Sequence, residues 1–197
     1  SVLGRLHADY ADEYYDEDYR FRSLPYSLPV NVKDPDLTEE IFWEDANERF
    51  QTIQDQFNAF TSALMNQDGY EEMMDLDAFG RFFMVNNLIN NMELGHPKST
   101  FLYRENYEDP DSKFVFGPVW DLDWAYGYEN SQQYFVRDAK TSIFSKMTGQ
   151  PGNNFFMALL DNSAEVRKAH FRSWVEFMRN YYEEFLEYPE DYLNYAN

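Results

Sequence analysis

Apolar residues recur at helical spacing in two long stretches of this chain, and this pattern constrains its fold more than any other feature. In the first stretch, residues 37–66, Asp36 and Glu39 form a capping box ahead of apolar positions three and four residues apart. The second stretch, residues 76–92, follows the turn sequence NQDG. Its periodic positions are Ala78, Phe82, Val85, Ile89 and Met92. Each stretch predicts one helix that buries an apolar face.

Further helices are predicted toward the C terminus. The segment NNFFMALLDN predicts a short helix, and Asn162 with Glu165 forms a second capping box ahead of a longer one. The longer helix is expected to face the core with a stripe of Val166, Phe171, Trp174, Phe177 and Met178. Between Gly127 and these helices the chain is polar and loop-like, with one short helix predicted through SIFSKM.

The strands predicted from the sequence form a single hairpin. STFLYR and KFVFGPVW have the composition of strands, and the acidic loop ENYEDPDS joins them. Residues 1–36 contain prolines that forbid a long helix, and no strand pair or glycine-rich loop is evident there. We therefore predict a mainly α fold with a small β-hairpin at about 99–124. The helical lobe would span 37–185, between an extended N-terminal segment (1–36) and a tail (186–197).

Composition excludes several classes of partner. The 36 acidic residues outnumber the 16 Lys and Arg, and the formal charge of −20 would repel both nucleic acid and an anionic membrane surface. No stretch approaches the roughly 20 apolar residues that a membrane span requires. The absence of cysteine excludes disulfides, thiolate zinc sites and cysteine nucleophiles. Because the chain begins at Ser1 without a leader, we expect a piece of a longer protein.

The segment FVFGPVWDLDWAYG is the strongest candidate for a chemical site. If it continues as a strand, Asp121 and Asp123 share one face, and every second residue from Phe114 shares the other: Phe114, Phe116, Pro118, Trp120, Leu122 and Trp124. Two carboxylates on one strand face can converge on a hard divalent cation. The alternative is that both aspartates cap a turn at a strand end. The sequence leaves these two interpretations open.

A second candidate is the break NMELGHPKS between the second helix and the hairpin. It places Glu93, His96, Lys98 and Ser99 in a short loop, where functional residues often lie. The alternative is ordinary turn chemistry. The asparagines that precede the break could orient it, or could belong to a polar helix face: Asn86, Asn87, Asn90 and Asn91.

Several other motifs are weak or absent. Neither DLDWAYGYENSQ nor DLDAFGRFFMVN has the ligands of an EF-hand loop, and the aspartates of the latter are better explained as helix N-caps. A haloacid-dehalogenase fold would need alternating strands and helices after the DxD motif, whereas a loop and helices are predicted there. The chain lacks HExxH and a P-loop. A glycosidase-like pair of carboxylates is possible, but nothing in the sequence defines its spacing.

In their order along the chain, DLDAF, NNLINNMELGHPKSTFLYR and GPVWDLDWAYGY resemble the CotH kinase family, over about residues 25–180. The resemblance implies an atypical protein-kinase-like C-terminal lobe. It implies that Asp121 and Asp123 hold Mg²⁺ or Mn²⁺ on the phosphates of ATP. It also places Glu93, Lys98 and Ser99 in the catalytic-loop position. Many family members carry an Asp and then an Asn where this chain has Glu93 and then Lys98 and Ser99, and the family's upstream lobe is not evident.

The resemblance implies a phosphotransferase, or a fragment of one, that binds a nucleotide and modifies a protein hydroxyl. It also implies an extracellular or bacterial cell-surface location. Two alternatives remain from other classes. One is a non-catalytic bacterial surface or interaction protein that binds a partner or a glycan through its 16 Tyr and four Trp. The other is a metal-dependent hydrolase.

Overall fold

The computed structural model describes residues 19–95, 97–122, 125–127 and 149–196, together with the main chain of 2–6. Within these ranges the fold is mainly helical. Its α-helices are α1 (Ala46–Asn66), α2 (Leu76–Leu88), α3 (Pro151–Asp161), α4 (Ala164–Asn180) and α5 (Tyr182–Ala196). Its strands are β1 (Val2–Leu6), β2 (Arg20–Arg22), β3 (Pro29–Asp34), β4 (Thr100–Arg104) and β5 (Val115–Phe116). None of the helices in the described part of the chain is long and apolar enough to cross a bilayer.

The strands form one antiparallel sheet in the order β2-β3-β1-β4-β5. The predicted hairpin is confirmed, since β4 pairs with β5 through Leu102 with Phe116 and Tyr103 with Val115. The prediction that residues 1–36 contain no strand pair is wrong, because β2 pairs with β3 and β1 lies between β3 and β4. β2 has only three residues, and β1 pairs with segments that lie far from it in the chain, so neither strand has a clear local sequence pattern.

The helix predicted over 37–66 is correct only from Ala46 onward. Asp36 does not cap it. Its carboxylate accepts hydrogen bonds from the main-chain N–H and the hydroxyl of Thr38, at 3.1 and 2.6 Å, and so closes a local turn. In α2 the predicted cap is confirmed, because the Asp75 carboxylate accepts from the N–H of Ala78 at 2.8 Å.

The core is built mainly from phenylalanines of α1, α2, β5 and α3. Five of the largest fully buried side chains are Phe60, Phe79, Phe83, Phe155 and Phe156. α2 lies close against α4: a methyl group on Gly80 would lie 2.7 Å from the carbonyl oxygen of Ala169. The two helices therefore need glycine at this crossing.

The predicted core stripe of the α4 segment is partly wrong. Val166 and Phe177 are buried, but Phe171 is 67% exposed and Met178 is 50% exposed. The close approach to Gly80 turns the small residues Ala169 and Ser173 inward, which rotates the buried face away from the larger side chains.

The limits of the C-terminal helices also differ from the sequence prediction. α4 is capped by Ser163, whose hydroxyl accepts from the N–H of Glu165 at 3.2 Å, and not by Asn162. Residues 186–196, which the sequence analysis set apart as a tail, continue α5. The predicted helix through SIFSKM lies outside the described residues.

Candidate active site

The hairpin brings one residue of the 93–99 break against one residue of the WDLDW segment. Ser99 immediately precedes β4, and Asp121 lies five residues beyond the end of β5. The Ser99 hydroxyl donates a hydrogen bond to Oδ2 of Asp121 at 3.0 Å. Ser99 is buried and Asp121 is exposed. A carboxylate that faces solvent is thus held in place by a buried hydroxyl.

The predicted strand does not continue as far as Asp121. β5 ends at Phe116, and Asp121 has a left-handed main chain with φ of 58°. A left-handed residue breaks the pleat, so side chains no longer alternate between two faces. Trp120, expected on the same strand face as the buried Phe114 and Phe116, is 63% exposed. Asp121 therefore lies in a loop after the strand, while Asp123 lies outside the described residues.

Glu93 is buried in a single 3-10 turn, Met92–Leu94, just after α2. A chain of amide hydrogen bonds leads to it. Asn86 Nδ2 donates to the carbonyl of Phe82 at 2.8 Å, and Asn91 Nδ2 donates to Asn86 Oδ1 at 2.8 Å. Asn91 Oδ1 then accepts from the N–H of Glu93 at 3.2 Å. Because Asn86 and Asn91 are themselves buried, they belong to the support of the break and not to a solvated helix face.

Two other elements contact this region. The main-chain N–H of Tyr126 donates to the carbonyl of Ile89, which ties the segment after Asp121 to the end of α2. The N–H of Asn153, in the first turn of α3, donates to the carbonyl of Gly95 at 3.2 Å. Main-chain hydrogen bonds therefore fix the chain at both ends of the segment 89–95, one from Tyr126 and one from α3. The contact with α3 had no signal in the sequence beyond a Pro-Gly pair at the start of that helix.

Of the remaining predicted residues, Lys98 is half-buried beside Ser99, and His96 lies outside the described residues. The exposed Asp121 carboxylate supplies the hard oxygen donor that Mg²⁺ prefers. Within the part of the chain that the structure describes, no group of three or more His, Cys, Asp or Glu residues is placed to hold a metal ion. A cation at Asp121 would therefore need further oxygen ligands from water, from a phosphate or from outside the described residues.

The order of these parts along the chain is helix, buried acidic turn, hairpin and exposed aspartate. A family model described as CotH kinase protein matches residues 7–194, nearly the whole chain. The chain belongs to the CotH kinase family. The family match extends beyond the 25–180 range that carries the sequence resemblance, and it includes β2 but begins just after β1. Comparisons with curated proteins and with solved structures give no match.

Proposed function

We propose that this chain acts in a phosphotransferase that moves the γ-phosphoryl group of ATP, with Mg²⁺ or Mn²⁺, to a hydroxyl of a protein acceptor. The observation that carries the proposal is the 3.0 Å hydrogen bond between Ser99 and Asp121. It connects the residue that the family resemblance assigns to the catalytic loop with the residue that it assigns to the metal ion. In protein kinases, these two positions act together on the transferred phosphoryl group.

Asp121 and Asp123 are the residues that would hold the metal ion. When bound, the ion would neutralise charge on the phosphate oxygens of the nucleotide. Asp121 fits this role because its carboxylate is exposed and its orientation is restrained by the Ser99 hydroxyl. Ser99 is thus a positioning residue for the carboxylate.

Glu93 is the proposed acceptor of the proton from the substrate hydroxyl. The family resemblance assigns it to the catalytic loop, and its main-chain N–H donates a hydrogen bond to Asn91. Its side chain is one methylene longer than that of the Asp found in many family members, so its carboxylate reaches further from the main chain. Lys98 would stabilise the negative charge of the phosphate during transfer.

The first experiment is a calorimetric titration of the protein with Mg²⁺ and Mn²⁺, with and without ATP. We expect saturable binding that is lost in an Asp121→Ala/Asp123→Ala variant, because those carboxylates supply the ligands. Asp111→Ala is a matched control, since this exposed aspartate lies in the loop between β4 and β5. Binding that persists in the double variant, or that is lost equally in the control, would contradict the proposed metal site.

The catalytic step is tested with Glu93→Gln in this chain and in any longer protein that contains it. The substitution keeps the side-chain size and removes the proton acceptor, so kcat for phosphoryl transfer should fall by about 10²–10⁴. Metal and nucleotide binding should remain. Unchanged transfer in this variant would remove Glu93 from the mechanism and leave the metal site intact.

A second candidate is the non-catalytic interaction protein, which the surface of α5 favours. Tyr188 and Tyr192 are 66% and 59% exposed, and their rings stack with centroids 6.4 Å apart. This helix carries five acidic residues and no Lys or Arg. The candidate predicts that, in a strain that lacks this protein, the Asp121→Ala variant restores the lost phenotype and the Tyr188→Ala/Tyr192→Ala variant does not. The reverse pattern would favour the phosphotransferase.

A further inference from the structure

A groove of about 410 Å³ lies between α2 and the edge of the sheet. One wall is a single face of α2, formed by Ala78, Arg81, Phe82 and Val85 at spacings of three, one and three residues. The other wall is β5 and the residues that follow it, as far as Val119. The volume is within the range of ligand pockets, and most of the lining side chains are apolar.

The side of β5 that faces away from β4 is only partly paired, although Phe116 itself is 4% exposed. In an antiparallel pair, successive residues point their N–H and C=O groups alternately toward and away from the neighbouring strand. Gly117 donates to the carbonyl of Phe101 and therefore faces β4, whereas Phe114 faces the opposite way and bonds Met73 and Asp75. Phe116 must also face away from β4. Among the described residues, no main-chain hydrogen bond covers its outer side.

The reason for the opening is the path of the chain before α2. Met74 forms a parallel bridge with Phe114, and the chain then turns into α2 at Leu76. The chain therefore leaves the edge of β5 before it reaches the position that would pair with Phe116. An extended segment from another molecule could continue the interrupted pairing, as occurs when peptides add to the edges of sheets.

Arg81 gives the groove a local positive charge in a protein with a formal charge of −20. The carboxylate one helical turn earlier, Asp77, is already bound to Arg172 at 2.7 Å. Arg81 is exposed and makes no hydrogen bond or ion pair within the described ranges. A carboxylate is the complementary group that a guanidinium of this kind binds with the best geometry.

We propose that this groove binds an extended peptide segment of a partner protein. The segment pairs with the main chain of Phe116 as an added strand, packs an apolar side chain between Phe82 and Val119, and places an acidic side chain at Arg81. Val119 and Asp121 are two residues apart, so their Cα atoms lie within about 7 Å of each other. The bound segment belongs to the phosphate acceptor, and this last assignment rests on the proposed function.

The test begins with selection of a phage-displayed library of random twelve-residue peptides on the full chain, without nucleotide. Enriched peptides are resynthesised, and their affinities are measured by fluorescence polarisation. We expect a motif with apolar residues and one acidic residue. Arg81→Glu should weaken binding by at least about tenfold and select a basic residue at the acidic position. Arg179→Glu, the same charge change on an exposed arginine of α4, should leave the affinity unchanged.

Pairing with the main chain is tested with peptides N-methylated at one amide at a time. Methylation of the amide that pairs with Phe116 should abolish binding, while methylation of its neighbour should have little effect, because adjacent amides point in opposite directions. Failure to enrich any peptide, or binding that is insensitive to both Arg81→Glu and N-methylation, overturns the proposal. Peptide binding without metal or ATP binding would instead overturn the proposed function and leave the groove assignment standing.

Discussion

Ser99, at the centre of the candidate site, adopts a left-handed main chain with φ of 54°. This conformation costs a non-glycine residue roughly 1–2 kcal/mol. We predict that Ser99→Gly will be more stable to urea than Ser99→Ala by about 1 kcal/mol. Both variants lose the hydroxyl that binds Asp121, so the difference between them reports the main chain alone.

Ser62, in the interior of α1, is the control for this comparison. There the order should reverse, because glycine in a helix is less stable than alanine by about 0.5–1 kcal/mol. Equal stability of the two Ser99 variants would show that residue 99 relaxes to an ordinary conformation when the hydrogen bond to Asp121 is removed.

His170 is the second residue with a testable consequence. It packs edge-on against Phe83 with ring centroids 5.0 Å apart, and its Nε2 accepts from Trp174 Nε1 at 3.2 Å. Burial lowers the pKa of His170, and the nearby main chain of Gly80 partly opposes that shift. The unfolded chain therefore binds this proton more readily. The stabilisation that neutral, buried His170 provides is fully present above the ordinary histidine pKa. It is lost as pH falls through that value toward the lowered pKa of the folded state.

We predict that the free energy of unfolding decreases less between pH 7.5 and pH 5.5 in His170→Gln than in the unmodified chain. Urea unfolding of both proteins at the two pH values gives the comparison, and acidic groups common to both cancel in the difference. Parallel pH dependences would show that His170 takes up its proton equally in the folded and unfolded states.

At the scale of elements, α3 packs against the break so closely that residue 152 must lack a side chain. A methyl group there would overlap the carbonyl oxygen of Leu94 and lie 3.0 Å from that of Gly95. Because both atoms are main-chain atoms, the loop itself would have to move. We predict that Gly152→Ala destabilises the fold by about 1–3 kcal/mol, as overpacking does.

A loss of stability in Gly152→Ala would indicate overpacking, because Gly→Ala in a helix normally increases the stability of the fold. Thermal and urea unfolding should be compared with Asn154→Ala, which alters an exposed position two residues later on α3. Amide chemical shifts of residues 92–99 should move in Gly152→Ala and stay in place in the control. A neutral or stabilising Gly152→Ala would mean that α3 can separate from the break without loss.

At the scale of the whole molecule, β1 holds the sheet together because it lies between β3 and β4 and pairs with both. Removal of residues 1–18 would leave the facing edges of β3 and β4 without their shared partner. Since small domains are stable by only about 5–15 kcal/mol, we predict that this truncation abolishes cooperative urea unfolding. Removal of residues 190–197, from the exposed end of α5, should change stability little. A truncated chain with the original unfolding midpoint would show that β1 is dispensable.

The sequence by itself determined the elements that depend on neighbouring residues. α2 with its Asp75 cap, the body of α1, the short α3 and the β4–β5 hairpin all follow from apolar spacing, capping groups and turn residues within a few positions of one another. The ordered motifs around Glu93 and Asp121 also sufficed for the family assignment. These features were predictable because helix and hairpin hydrogen bonds join residues that are close in the chain.

Only the tertiary structure decided the central position of β1, the contact of Gly152 with the break and the hydrogen bond from Ser99 to Asp121. Each joins segments that are far apart in sequence through main-chain pairing or close packing, which impose no repeating pattern on either segment. The loop at Asp121 shows the same limit. Its alternating sequence favoured a strand, but the chain leaves the sheet after Phe116 and turns at a left-handed residue to reach Ser99.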